Sequence, residues 1–385
     1  MSLRGFVGRM KQHILISGAG VTGLALAYWL KRLDFAVTVV ESSPGFRRGG
    51  HAIDVRGVAL EVLKAMGLFE KASALKTRSK GMSVLDAQGN EIQRTEERTF
   101  SAGRLDSKDL EVFRDDLCQL MLDALASSVP IRYSESIKSI SQNASGVTVG
   151  LASGVQERFD VVVGADGVYS NTRKLVFDDE AEVIKPLGAV LAFFGVPNFL
   201  KLEHWQYAHR TEDIGYVMYP SREQDELRVG AGYGIEGNEV PRHDVAAQKA
   251  MVAKKCAGLG GFFPKILEAM KQTPQFYYNE LAQIRMPQWS KGRVVLAGDA
   301  AHCASPFTGQ GTSLALVGAL VLAHELSQRP ALPTEAFAAY ELHMRPYVAL
   351  NQALLDLTRK GPVPDEQMDR AKFGIELGEM IAAVS

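Results

Sequence analysis

The sequence predicts an α/β fold in which a parallel sheet carries an inserted, mainly antiparallel β-sheet domain and ends in helices. Three observations predict it. An apolar run from His13 leads into Gly18-Ala19-Gly20-Val21-Thr22-Gly23, a Gly-x-Gly-x-x-Gly turn that opens a helical pattern with Leu24, Ala27, Tyr28 and Leu30. Two later apolar runs end on further Gly/Asp elements, Gly164-Ala165-Asp166-Gly167 and Gly298-Asp299. Between them, residues 178–285 turn to alternating strand-like runs with two helical stretches, the pattern of antiparallel sheet.

The first turn defines a Rossmann-like unit. Gly18 permits a tight turn, Gly20 lets backbone approach a pyrophosphate, and Gly23 lets helix pack on strand. The helix start then offers unpaired N–H groups and roughly half a positive charge to phosphate. Residues 36–40 form the next apolar run, and Glu41 follows it, where an acid accepts from ribose hydroxyls. Arg47 and Arg48, in the Gly- and Ser-rich loop that follows, lie within reach of a phosphate and equally suit a solvated loop.

Further along, residues 57–68 have helical spacing, and Gly89-Asn90 marks a hairpin after a strand at 81–87. Arg114-Asp115-Asp116 opens a helix whose acids suit its positive end. Residues 131–150 suggest a β-meander, and 159–164 a strand buried on both faces that delivers Asp166 to its carboxyl end, where ligands of open α/β sheets bind. In the insert, strands are expected at 189–196, 214–219 and 227–233, and helices at 243–255 and 264–271. After Gly298-Asp299 come long helices at 310–327 and 335–358, a break at Gly361-Pro362-Val363-Pro364, and a last helix from Asp365. That last helix presents Phe373, Leu377, Met380, Ile381 and Val384 on one face, expected to pack on the insert and close over the substrate entrance. The expected divisions are residues 1–79, 101–177 and 286–330 for the nucleotide domain, 80–100 and 178–285 for the substrate domain, and 331–385 for the C-terminal helices.

Composition narrows the function. The 385 residues have a formal net charge of −1, so nothing favours nucleic acid or an anionic membrane surface as a partner. The longest strictly apolar-plus-glycine run, 314–323, is too short to span a bilayer. Residues 1–10 lack the apolar core of a signal peptide, and Met10 is a candidate start. Cys118, Cys256 and Cys303 are dispersed, forming neither a disulfide framework nor a metal-ligand spacing, so a cytoplasmic protein is expected. The eight histidines include no helical His-x-x-x-His pair, and no metal is expected.

The three motifs together resemble those of the single-component (class A) FAD-dependent aromatic hydroxylases, the p-hydroxybenzoate hydroxylase-like group that includes the tetracycline-inactivating monooxygenases. The resemblance spans roughly residues 12–345. It is carried by Gly18-x-Gly20-x-x-Gly23 with Glu41, by Gly164-Ala165-Asp166-Gly167-x-x-Ser170-x-x-Arg173, and by Gly298-Asp299-Ala300-Ala301-His302-x-x-x-Pro306-x-x-Gly309-Gln310-Gly311. Within the group, the likeness to the tetracycline destructases rests on a loop, Gly49-Gly50-His51-Ala52-Ile53-Asp54, on a helix start at Glu111-Val112-Phe113-Arg114-Asp115-Asp116-Leu117 and on Pro306-Phe307-Thr308-Gly309-Gln310-Gly311.

The resemblance implies a Rossmann-like FAD-binding domain and an enzyme that uses NADPH and O2 to form a flavin hydroperoxide and oxygenate, so inactivate, tetracyclines. It implies that Gly18, Gly20, Gly23 and Glu41 hold the adenosine and pyrophosphate, with Arg114 near the pyrophosphate. Asp166 would serve FAD and the nicotinamide donor, and Asp299 the ribityl chain. Pro306, Gly309 and Gly311 would pass the flavin ring, with Pro306 and Phe307 walling the substrate face. No side chain is assigned as catalytic, because the flavin carries the chemistry. His302 and Cys303 suit packing. A monomer acting on an aromatic or polycyclic small molecule is expected. Ser313, Gly318 and Thr172 depart from the group's usual Asn, Asp and aliphatic residue, which bears on flavin-ring contacts. Another phenolic or polyketide substrate, a halogenase or prenyl reductase on the same fold, and a flavin sensor without turnover are the alternatives. Isolated Trp29, Trp205 and Trp289 do not make the tryptophan-rich halogenase motif.

Overall fold

The computed structural model describes residues 11–46, 48–177, 180–236, 244–359 and 363–384. Arg47, the candidate start at Met10, the first residue of the helix expected at 243–255 and the Gly361-Pro362 part of the expected break lie outside the described residues.

A six-stranded sheet runs Ser290–Lys291, Val294–Leu296, Val161–Gly164, His13–Ser17, Ala36–Glu41, Ile131–Tyr133. All neighbours are parallel except the antiparallel first edge. Side-chain alternation decides what covers each face. Ile14, Ile16, Val161, Val163 and Val295 enter a core shared with helices Val21–Arg32, Arg114–Leu125 and Gly311–Gln328. Leu15, Val162 and Val294 point the other way, onto Val147, Val149, Leu151 and Phe159. These last belong to a separate three-stranded antiparallel sheet, Ile137–Asn143, Gly146–Leu151 and Gln156–Phe159. The single meander expected over 131–150 is therefore divided: Ile131–Tyr133 joins the parallel sheet, and the rest backs it.

The second large sheet has seven strands, in the order Phe276–Ile284, Ile184–Pro197, Glu226–Gly234, Ile214–Pro220, Gln206–Arg210, Met82–Leu85, Glu91–Thr95. Alternation again sorts its faces. Tyr216 and Met218 pack beneath helices Val245–Lys255 and Phe263–Gln272, with Val252, Phe263, Ile266 and Met270. Val217 and Tyr219 face the other way and meet Phe113. Residues 82–95 join this sheet by a parallel pairing of Met82–Leu85 with Gln206–Arg210, and Gly89 turns the hairpin with φ +86°.

Three expectations are corrected. Residues 52–54, the end of the loop expected from Gly49, fall in strand Ala52–Val55, and Leu110–Phe113 pairs with it antiparallel; the helix begins at Arg114, as expected. The helix expected at 335–358 is Pro333–Gln352. The last helix is two, Asp365–Lys372 and Gly378–Val384. Gly374 lies where a Cβ would come within 2.4 Å of Leu350, so the chain turns there in close contact with the preceding long helix. Phe373 consequently stands 59% exposed, while Leu377, Met380 and Val384 are buried in the core of the parallel sheet's helical face rather than on the insert. Arg32 Nε donates to Val384 O at 2.9 Å, fixing the chain end to the first helix.

Candidate functional site

The register of the parallel sheet brings its carboxyl ends level: Ser17 lies opposite Val40 and Gly164, and Gly164 opposite Leu296. The three Gly motifs emerge side by side as a result. Gly18 has φ +109°, and a Cβ there would sit 2.4 Å from Ala165 O. A Cβ on Gly23 would lie 1.9 Å from Gly18 O. Both glycines are thus required by backbone packing. Gly298, at φ +60°, lies where a Cβ would meet Thr22 Oγ1 at 2.1 Å, so the third strand end rests directly on the first helix.

Other glycines leave room. Among the described residues, only Arg114 Nη2 comes near Gly20, 3.6 Å from a Cβ position, and Gly167 and Gly311 have nothing within 4 Å. Helices Val21–Arg32 and Gly311–Gln328 have neither a side-chain cap nor an acid in the first turn. Their leading N–H groups therefore remain to be met by a ligand or solvent. An open backbone cradle with two uncapped helix starts fits a dinucleotide carrying a pyrophosphate and an electron-accepting ring.

Polar groups ring this cradle. Glu41 accepts from Ala19 N at 2.9 Å and from Ser43 N at 2.8 Å, tying the glycine turn to the neighbouring strand end. Arg114, whose guanidinium lies beside Gly20, begins its helix where its N–H donates to His51 O at 3.0 Å. Asp299 follows Gly298 in a short helix. Burial pushes its carboxyl up, against a hydrogen bond from Cys303 and the attraction of Arg114. Asp166 differs. Its carboxylate accepts from Thr172 N at 2.9 Å, Thr172 Oγ1 at 2.8 Å, Ser17 Oγ at 3.3 Å and Ser170 Oγ. The side chain is occupied in binding the strand end to helix Asn171–Val176, and Gly167 is what it leaves open. Arg173, fully buried, donates to Ala300 O at 2.9 Å and Val168 O at 2.7 Å, joining the second motif to the third.

The last motif makes a strained loop. Ser305 holds φ +81°, uncommon for a residue with a side chain, Pro306–Thr308 is a 3₁₀ turn, and Gly309 is left-handed at φ +62°. Pro306 is exposed and Phe307 is 54% exposed, while Thr308 and Gln310 are buried. His302 packs on Trp289 at 4.7 Å with its Nε2 3.2 Å from Tyr340 Oη. Burial drives it down to about 4, so it is a neutral core residue. Buried Cys303 has its thiol pushed up by desolvation.

Sequence reasoning missed a buried polar layer under this loop. Asp54 and Arg56 form an ion pair at 2.6 Å. A Cβ on Gly309 would lie 3.3 Å from Arg56 Nη2 and 3.6 Å from Asp54 Oδ2. Arg56 N donates to Ser313 Oγ at 3.0 Å, and Gln310 Nε2 meets Met368 Sδ of helix Asp365–Lys372 at 3.1 Å. The preceding turn is wedged against the large sheet: His51 stacks on Phe193 at 4.4 Å, and Ala52 N donates to Tyr219 Oη at 3.0 Å. The available signal was an acid and a cation two apart, hence on one face of a strand, just after Gly49-Gly50.

A Rossmann-like sheet with three glycine motifs at its level strand ends and a mainly antiparallel sheet beside it is the arrangement of an FAD-binding fold. The profile of the family described as FAD binding domain matches residues 11–329, and the chain belongs to that family as a flavin-dependent monooxygenase. It is 40% identical over 366 residues to "Uncharacterized protein Rv1260" of Mycobacterium tuberculosis, covering 94% of this chain and 98% of that protein. It is 33% identical over 339 residues to a flavin-dependent monooxygenase of Legionella longbeachae, covering 88% and 86%. Among solved structures, tetracycline destructase Tet(51) superposes with a TM-score of 0.84 at 32% identity, covering 97% of each chain.

Proposed function

We propose that the cradle holds FAD along its length and that the enzyme uses NADPH and O2 to oxygenate, and so inactivate, tetracyclines. The observation that carries the site is the level row of strand ends that bear the three glycine motifs, with Arg114 beside Gly20 and attracting Asp299. Bound FAD would supply the two-electron reduction of O2 and the transfer of one oxygen atom to substrate. The chain's own residues position and neutralise. Gly18, Gly20 and Gly23 with the first helix start take the pyrophosphate, assisted by Arg114, and Glu41 accepts from the ribose. Asp299 accepts from the ribityl chain. The loop Pro306–Thr308 with Gly309 and Gly311 lines the ring, and the helix start behind it stabilises negative charge gained on reduction. Pro306 and Phe307 wall the substrate side, where their exposure leaves apolar surface for a polycyclic ring. Three buried thiols suit a cytoplasmic enzyme, and among the described residues no helix is long and apolar enough to cross a membrane.

The likeness to tetracycline destructases supports the substrate; another phenolic or polyketide ring is the alternative. Purified, FAD-loaded protein should consume NADPH faster when a tetracycline is added, and little faster with simple phenols. Stimulation by phenols alone would move the assignment to the alternative substrate.

A further inference from the structure

Strands Ala52–Val55 and Leu110–Phe113 place Asp54 directly opposite Glu111. Like charges in that relation repel, and here both side chains are buried, Asp54 to 9% and Glu111 to 3% exposure. Arg56 pairs with Asp54, but among the described residues no cation forms an ion pair with Glu111. One Glu111 oxygen accepts from Thr77 Oγ1, and the other has no hydrogen-bond partner among the described residues. Both carboxyls open onto a cavity of about 100 Å³ lined also by Thr77, Ser79, Ser107 and Asp109, which reaches exposed Lys76 and Arg104. That is room for several waters among polar partners. Asp54, which lines this cavity, lies with Arg56 beside Gly309 of the flavin-side loop, within 3.6 Å of where a Cβ on Gly309 would stand.

We propose that Asp54 and Glu111 share one proton and, through this cavity, carry protons between solvent and the flavin-side loop. The proposal rests on the flavin reading. Monooxygenation needs it: substrate, O2, two electrons and two protons give the oxygenated product and water. A nicotinamide donor brings both electrons with one proton, so the second comes from solvent. Glu111 takes it up from the cavity, Asp54 receives it across the ladder and releases it on the Gly309 side, where the reaction consumes it, and the pair returns to one shared proton. Burial and the Asp54 charge push Glu111 up to about 7, against Ser101, Thr77 and Arg56, and Asp54 is raised too, chiefly by burial. The other charged groups facing the pair are Asp109 and Lys372, an ion pair at 2.5 Å that joins the C-terminal helix to this wall. Tyr219, of the large sheet, stays neutral, its hydroxyl pushed up by burial.

The test uses FAD-loaded wild type, Glu111→Gln and Asp54→Asn. Infrared spectra across pH should show, in wild type, a protonated-carboxyl C=O band that fades as pH rises through about 7 and is missing in Glu111→Gln. After photoreduction, reoxidation of the flavin by O2 should slow with rising pH in wild type. In Glu111→Gln it should be roughly a hundredfold slower or worse and lose that pH dependence, the scale of a lost proton-transfer group. A wild-type spectrum without a titrating carboxyl, or a Glu111→Gln profile identical to wild type, overturns the relay. Should Glu111→Gln not fold, Asp54→Asn and the wild-type titration decide it by the same criteria. Protein that takes up no FAD overturns the flavin reading instead, which the spectra distinguish.

Discussion

Asp299 is the residue on which flavin binding should depend most visibly. Its carboxyl stands at a strand end beside Arg114 with burial already working against its charge, so the ligand hydroxyls it accepts from would help hold it ionised. Asp299→Ala should weaken FAD by about 1–3 kcal/mol, the usual range for a bond to a charged group, with secondary structure unchanged. A flavin titration that gives the wild-type dissociation constant would reduce Asp299 to a turn former. Glu111 makes a second residue-scale prediction, about stability. Its folded pKa of about 7 lies above the ordinary value of 4.5, so between those values the folded state binds more protons than the unfolded one. Stability therefore falls as pH rises through this window. Glu111→Gln, neutral throughout, should match wild type near pH 5 and melt higher near pH 8, by on the order of 1–3 kcal/mol. A gain at low pH instead would mean Glu111 is ionised in the fold.

At the scale of elements, the glycine turns were legible because their spacing is local: a Cβ on Gly23 would collide with Gly18 O five residues back, whereas the clash that requires Gly18, with Ala165 O of a distant strand end, shows only in the fold. The strand Leu110–Phe113 was not, because its partner Ala52–Val55 lies far back in the sequence and neither is long enough to show a period. The same holds for Asp54 and Glu111, which become neighbours only through that pairing. The C-terminal helices show a different failure. Their apolar face was visible, but amphipathicity does not say which surface receives it, and Leu377, Met380 and Val384 went to the main core. Removing residues 365–385 should therefore cost folding stability, not just alter substrate kinetics. Met380→Ala alone should cost about 2–4 kcal/mol, as buried Met truncations do. A truncated protein that melts with the full chain would show that this packing is dispensable. What remains of the gating idea is local: Met368 touches Gln310, and Lys372 pairs with Asp109.

For the whole molecule, the sequence's three separated motifs and the structure's single row of strand ends describe one nucleotide groove, flanked by a sheet whose inner face meets Phe113. Ligand that binds only the folded state raises its stability by mass action, about 2.7 kcal/mol at a hundredfold excess over the dissociation constant. The thermal midpoint should thus rise with FAD concentration, and a midpoint indifferent to FAD would mean the groove holds something else. The central claim, oxygenation of a tetracycline, is tested most directly by isotope. FAD-loaded enzyme, NADPH and tetracycline are incubated under ¹⁸O2 and the product is weighed by mass spectrometry. The account predicts a product carrying one ¹⁸O atom, formed only when enzyme and NADPH are both present. Tetracycline recovered unchanged, or a product whose added oxygen comes from water, would contradict it.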